Sequence, residues 1–298
     1  MHLSKLITRP RFVGAVIIAS LCLLLPLNAA PDSLVQTVTF EDQTLTMLLT
    51  RQDLRGSAFG MRRQQSGGGI RRINPVPERS YLGTIDEIPG AICCGVQLDD
   101  GTLQGAIIFK RGTTWYTLGD TVVRTEAIEY QNFTDYIFPT EATVAPGQGG
   151  STMYEFDLAI DVASSFYNQS SSDSALRAAQ TLEKIEFDVN LLRALYMRDA
   201  LIRPYLSRIV LRSDVTSDPY SGTVDYSIIA NRGRTEWSNN QSDSDRDIVA
   251  VVTEGGQSAG WSWFAAVGTN NGVSAIQTGP NGDFKDSLLR QLGFNWDS

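Results

Sequence analysis

Between Tyr81 and Leu118 apolar and polar positions alternate, in YLGTIDEIPGAICCGVQLDDGTLQGAIIFKRGTTWYTL. Asp100-Gly101 and Gly112 interrupt the alternation as turn signals, so the stretch predicts consecutive antiparallel strands. Residues 33–60 alternate more weakly (VQTVTF, LTMLLT) and predict short strands. From Met153 the character changes. MYEFDLAIDVA reads as a strand, and SSSDS supplies N-cap residues for a long helix. In that helix Leu182, Ile185, Val189, Leu192 and Tyr196 recur three and four apart, one apolar stripe against a core. PYLSRIVLRS is a strand, SDPYSG a turn, and a helix is expected around Val224 to Trp237. IVAVVT, GWSWFAAVG and GVSAIQ are short apolar runs between glycines, predicting strands. FKDSLLRQLGFNW closes the pattern as a helix, with Phe284, Leu288 and Leu292 on one side and Leu289 and Trp296 flanking it.

Strands, then strand, helix, strand, helix, strands, helix, imply an α/β class. The expected architecture is a twisted mixed sheet with packed helices, preceded by a β-rich domain. TEATVAPGQGGS, residues 140–151, has Pro and Gly without an apolar period and reads as a linker. The organisation expected is an export segment at 1–30, the β-rich domain at 31–139, a linker at 140–152 and the α/β domain at 153–298. MRRQQSGGGIRR, residues 61–72, is expected to be a solvated flexible loop.

Composition narrows the partners. The chain of 298 residues has 42% hydrophobic and 19% charged residues and a net charge of −8, ordinary for a globular protein. Residues 1–30 place Lys5, Arg9 and Arg11 ahead of an uncharged run from Phe12 to Ala30, the charged and apolar regions of a secretory signal. Cleavage after Ala29 gives a secreted or exported protein; an uncleaved segment would anchor it to a membrane. Removing those three cations takes the net charge from −8 to −11. An acidic body argues against nucleic acid, and against membrane surfaces beyond the signal segment. Cys93 and Cys94 are expected to be small buried residues of a strand, since neighbours in sequence close a strained and useless disulfide.

The chain contains one histidine, His2, inside the presumed signal. Histidine-based acid–base catalysis, Ser-His-Asp triads and imidazole zinc ligands are therefore excluded from the rest. No glycine loop with a following Lys-Ser or Lys-Thr is present, and no GxGxxG opens a helix. Asp243, Asp245 and Asp247 alternate in NNQSDSDRD, but without the glycine and distal glutamate of an EF-hand loop they read as a solvated acidic loop.

The last helix, RQLGFNWD, resembles the active-site helix of the reprolysin (adamalysin) zinc metalloproteases of the metzincin class, often written HELGHNWG. Leu292, Gly293, Asn295 and Trp296 match it. The order of motifs upstream is similar too: MYEFDLAIDVASSFYN as a first strand, VNLLRALYMRDALIRPYLSRIVLRSDVTSDPYS as a first helix and second strand, and WSNNQSDSDRDIVAVVTEGGQSAGWSWFAAVG as a third motif. YLGTIDEIPGAICCGVQLDDGTLQGAIIF is similar to the propeptide. The resemblance spans roughly residues 35–298 and implies a metzincin-like but incomplete fold behind a propeptide-like domain.

It also implies what has been lost. Arg290 stands at the first ligand histidine, Gln291 at the catalytic glutamate and Phe294 at the second ligand histidine. A guanidinium offers only donors, a phenyl ring has no ligand atom and an amide takes no proton. Active relatives use zinc; here no cofactor is expected, except that the resemblance implies structural calcium at Glu155 and Asp247. Phe294 is expected to fill the vacated zinc space and Arg290 to pair with an acid. The expected function is a secreted, catalytically inactive metallopeptidase homologue with a binding or regulatory role toward a protein or peptide ligand. The alternatives are a zinc-dependent metalloendopeptidase whose chain is truncated, and a non-functional remnant.

Overall fold

The computed structural model describes residues 30–110, 113–127, 152–255, 259–264, 266–279 and 282–296. The expected export segment before Ala30 and the core of the expected 140–152 linker lie outside them. No helix among the described residues is long and apolar enough to cross a membrane.

The first unit is a closed barrel built from β1 (Ser33–Phe40), β2 (Gln43–Arg51), β5 (Ser80–Ile85), β6 (Ile92–Gln97), β7 (Leu103–Ile108), β8 (Thr113–Leu118) and β9 (Thr121–Ala127), each antiparallel to the next. Closure comes from a parallel contact of β1 with β9 at Thr39 and Thr121, which leaves the barrel without an open edge. Val38, Leu45, Met47, Leu49, Ile85 and Ile107 fill its interior. At Gly83 a Cβ would stand 1.9 Å from the Leu48 carbonyl oxygen, so this strand crossing admits glycine alone. Cys93 and Cys94 are buried free thiols on β6, and burial pushes the Cys93 thiol up to about 12.

The second unit is a seven-stranded sheet in the order β13-β14-β12-β10-β11-β3-β4. Its members are β10 (Tyr154–Val162), β11 (Ile202–Leu211), β12 (Ile248–Thr253), β13 (Gly260–Ser262), β14 (Val273–Gln277), β3 (Arg55–Gln64) and β4 (Ile70–Ile73). β10, β11, β12 and β14 run parallel and β13 returns antiparallel, so the sheet is mixed, as expected for the α/β class. All six residues of β12 are buried, as a strand covered on both faces requires. Even-numbered residues of β10 and β12 pack under helices α2 (Arg177–Asp199) and α4 (Lys285–Trp296); odd-numbered ones pack under α3 (Tyr226–Asn240).

Two expectations change. Residues 61–72 are not a loop: Met61 to Gln64 pair with Ile70 to Ile73 in a hairpin whose strand β3 lies parallel to β11. Met61 is buried in the core, and Gln64 binds Ser217 O, Asp214 N and Ser213 Oγ, which the arginines and glycines nearby conceal. The SSSDS segment does not cap α2 either. A short helix α1 (Ser164–Gln169) precedes it, and α2 starts after Leu176 without a side-chain cap.

The two units share a core. Phe187, Leu191 and Ala194 of α2 pack with Cys94, Val96, Ala106, Ile108 and Tyr116 of the barrel. Asn190 donates from Nδ2 to Tyr81 O at 2.8 Å and to Gly95 O at 3.0 Å. Arg55 of β3 pairs with Glu186 at 2.5 Å, and Lys285 reaches Glu126 of the barrel at 2.9 Å.

Candidate functional site

The last helix is set by one apolar stripe. Phe284, Leu288 and Leu292 enter the main core, as their spacing predicts, and Leu289 and Trp296 pack at its margin. Trp296 sits edge-on to Phe156 at 5.5 Å. Beside the stripe lies a polar row, Gln291 and Asn295, one turn apart and facing the end of the sheet. Asn295 accepts from Ser274 Oγ at 2.7 Å and donates from Nδ2 to Trp263 O at 2.8 Å, pinning α4 to β14 and to the chain after β13. Gln291 is 3% exposed. Ser262 Oγ lies 2.9 Å from its Oε1 and 3.1 Å from its backbone O.

Arg290, Gln291 and Phe294 differ in their surroundings on this helix. Gln291 is buried and committed to Ser262. Arg290 is exposed and forms no ion pair among the described residues, contrary to the pairing expected. Phe294 is half-buried, its ring 5.2 Å from that of Phe264. These side chains do not fit zinc: one is a cation, one lacks a donor atom and the third has its oxygen occupied. Gly293 points into open space; a Cβ there meets nothing within 4 Å.

β13 ends the sheet, and the two aromatic pairs beside it form its surface. Trp261 and Trp263 pack edge-on at 4.4 Å, with Arg234 over the Trp263 ring at 5.5 Å. Phe264 is 62% exposed.

Glu155 and Asp247 occupy one end of β10. Glu155 Oε1 accepts from Arg203 at 3.1 Å, and Asp247 Oδ2 accepts from Asp157 N at 2.8 Å. Both carboxylates face Asp157, whose pKa is raised by burial first and then by Asp247, Asp245 and Glu155. Among the described residues no group of three or more His, Cys, Asp or Glu side chains is placed to hold a metal ion. Asp243 is an ion-pair hub: it binds Arg62 at 2.6 Å and Arg208 at 2.7 Å, tying β3 to β11.

No family model matches the chain, and no curated protein does. Among solved structures, metalloproteinase-II from Bacteroides fragilis aligns at 10% identity and a TM-score of 0.38, over 90% of this chain and 82% of that one.

The Ser262–Gln291 contact was hidden in the sequence. Ser262 lies between two tryptophans in GWSWF, a pattern with no signal for a buried hydroxyl that reaches a helix 29 positions away.

Proposed function

We propose that this chain is an exported metalloprotease-like protein that binds a protein or peptide without hydrolysing it. The observation that carries this reading is Gln291. It stands where the resembling proteases hold a glutamate, and it is buried with its Oε1 engaged by Ser262. An amide in that setting joins helix to strand; it neither accepts a proton nor activates water. Arg290 and Phe294 supply no metal ligand on either side of it.

The surface that supports binding is the edge of β13, which pairs with no second strand among the described residues. Its backbone is paired with β14 on one side, and an extended peptide can add there as a further strand, with the exposed Phe264 and neighbouring Phe294 taking its side chains. Incubating the purified protein with unfolded casein peptides tests the reading. Peptides retained on the protein and recovered intact support it, with retention falling in Phe264→Ser. Chelator-sensitive cleavage contradicts it.

A further inference from the structure

A second crevice in the molecule shares no residue with the α4–β13 surface. β10 and β12 are parallel neighbours, yet the chain leaves them on opposite routes. After β10 it continues into α2 and returns as β11. It crosses back as α3 to β12, and after β12 it moves the opposite way in the sheet, to β13 and β14. The carboxyl ends of β10 and β12 therefore diverge, the arrangement at which open α/β sheets form ligand crevices. A crevice of about 260 Å³ lies there, lined by Ser164, Ser165, Asp218, Glu254, Tyr226 and Gln277, among others.

The polar groups of the crevice divide into those already used and those left over. Asp218 is 5% exposed and accepts from Ser164 N at 2.7 Å and Tyr220 N at 2.9 Å. It fixes the walls and leaves its charge at the site. Tyr226 donates to Gln277 Oε1 and locks that amide. Ser164 is 3% exposed, its hydroxyl makes no hydrogen bond to a described residue, and its oxygen is not sealed from solvent at the crevice. The Glu254 carboxylate stands at the rim without an ion pair among the described residues, its backbone N–H held by Ser165. Among the described residues no lysine or arginine lines the crevice, while Val215, Val224 and Ile229 add apolar surface.

We propose that this crevice binds a small organic cation, a protonated amine attached to an apolar body. The ammonium group would sit between Glu254 and Asp218 and donate to the free Ser164 hydroxyl, with the body against Val215, Val224 and the Tyr226 ring. An anion is disfavoured, because both carboxylates oppose it and no cation in the lining offsets them.

Phenethylamine is the probe, with phenethyl alcohol and phenylpropionate as neutral and anionic partners of similar shape, each titrated into the full-length protein by NMR. The expected result is saturable binding of the amine, with shifts confined to residues 163–165, 218–226 and 253–254. The alcohol should bind about tenfold more weakly or worse, and the carboxylate not at all. Glu254→Gln, at an exposed position, should weaken the amine about tenfold with an unchanged melting temperature. Ser164→Ala should weaken it with no effect on the alcohol's rank. Equal binding of amine and carboxylate, an unaffected Glu254→Gln, or no saturable shift at these residues overturns the proposal.

Discussion

Ser262 Oγ lies 2.9 Å from Gln291 Oε1, bridging the edge strand to the last helix at a point that is 3% exposed on the helix side. One hydroxyl thereby fixes the orientation of a buried amide. The contact commits the Gln291 side chain to joining helix and strand.

Restoring the carboxylate should act through burial. In Gln291→Glu the new side chain keeps the Ser262 donor but loses water, so its neutral form is favoured in the folded protein. The variant should be close to the parent in stability at about pH 4 and weaker by roughly 1–3 kcal/mol at about pH 8. Thermal melts at the two pH values check this; equal melting temperatures at the higher pH would show that the site is wetter than its burial implies.

Asp188 gives the parent protein a pH dependence of its own. Burial raises its carboxyl from 3.8 to about 7, against the Phe284 N–H that favours the charged form. Glu186, buried beside it in α2, is raised from 4.5 to about 7 by burial, with Arg55 opposing. Between the ordinary values and about 7 the folded chain holds protons that the unfolded chain has released. Stability from these groups therefore falls as pH rises through that window. Asp188→Asn keeps an acceptor for the Phe284 N–H and should flatten the slope, adding on the order of 1–3 kcal/mol at about pH 8. Denaturant titrations across the window measure it, and a parent that gains stability from pH 5 to 7 would contradict it.

The barrel and the α/β sheet should unfold together. Asn190 satisfies two barrel carbonyls from the middle of α2, and its replacement by alanine strands both, for an expected loss of about 2–3 kcal/mol. β3 and β4 place residues before the 140–152 segment inside the second sheet. A protease site inserted after Ala145 should accordingly yield two fragments that still elute as one species. Separation of the fragments without denaturant would show that the shared core is dispensable.

Gly293 and Gly83 predict opposite signs. Alanine at Gly293 meets empty space on a helix and should stabilise by up to about 1 kcal/mol. Alanine at Gly83 would place its Cβ 1.9 Å from the Leu48 carbonyl oxygen and should prevent barrel closure or shift two strands. Melting temperatures of the two variants decide the matter.

The parts legible in the sequence were those governed by one local period. The α2 stripe of Leu182, Ile185, Val189 and Leu192, the buried run of β12 and the Phe284–Leu288–Leu292 face all place their residues in the core. What could not be read depends on partners distant in sequence. The Arg62 hairpin becomes a strand because Arg208 and Asp243 lie across from it, and the barrel closes because Thr39 finds Thr121. The same holds at the candidate site. That Arg290 and Phe294 offer no zinc ligand and Gln291 no proton acceptor is a matter of residue chemistry, whereas the use made of Gln291 depends on Ser262 and only three dimensions disclose it.

The most direct measurement is the zinc content of the purified full-length protein after equilibration with zinc and removal of loosely bound ion, with casein cleavage followed on the same sample. No stoichiometric zinc and no cleavage is the expected result. One zinc per chain, lost to a chelator together with cleavage of casein, would contradict the proposed binding protein that does not hydrolyse its ligand.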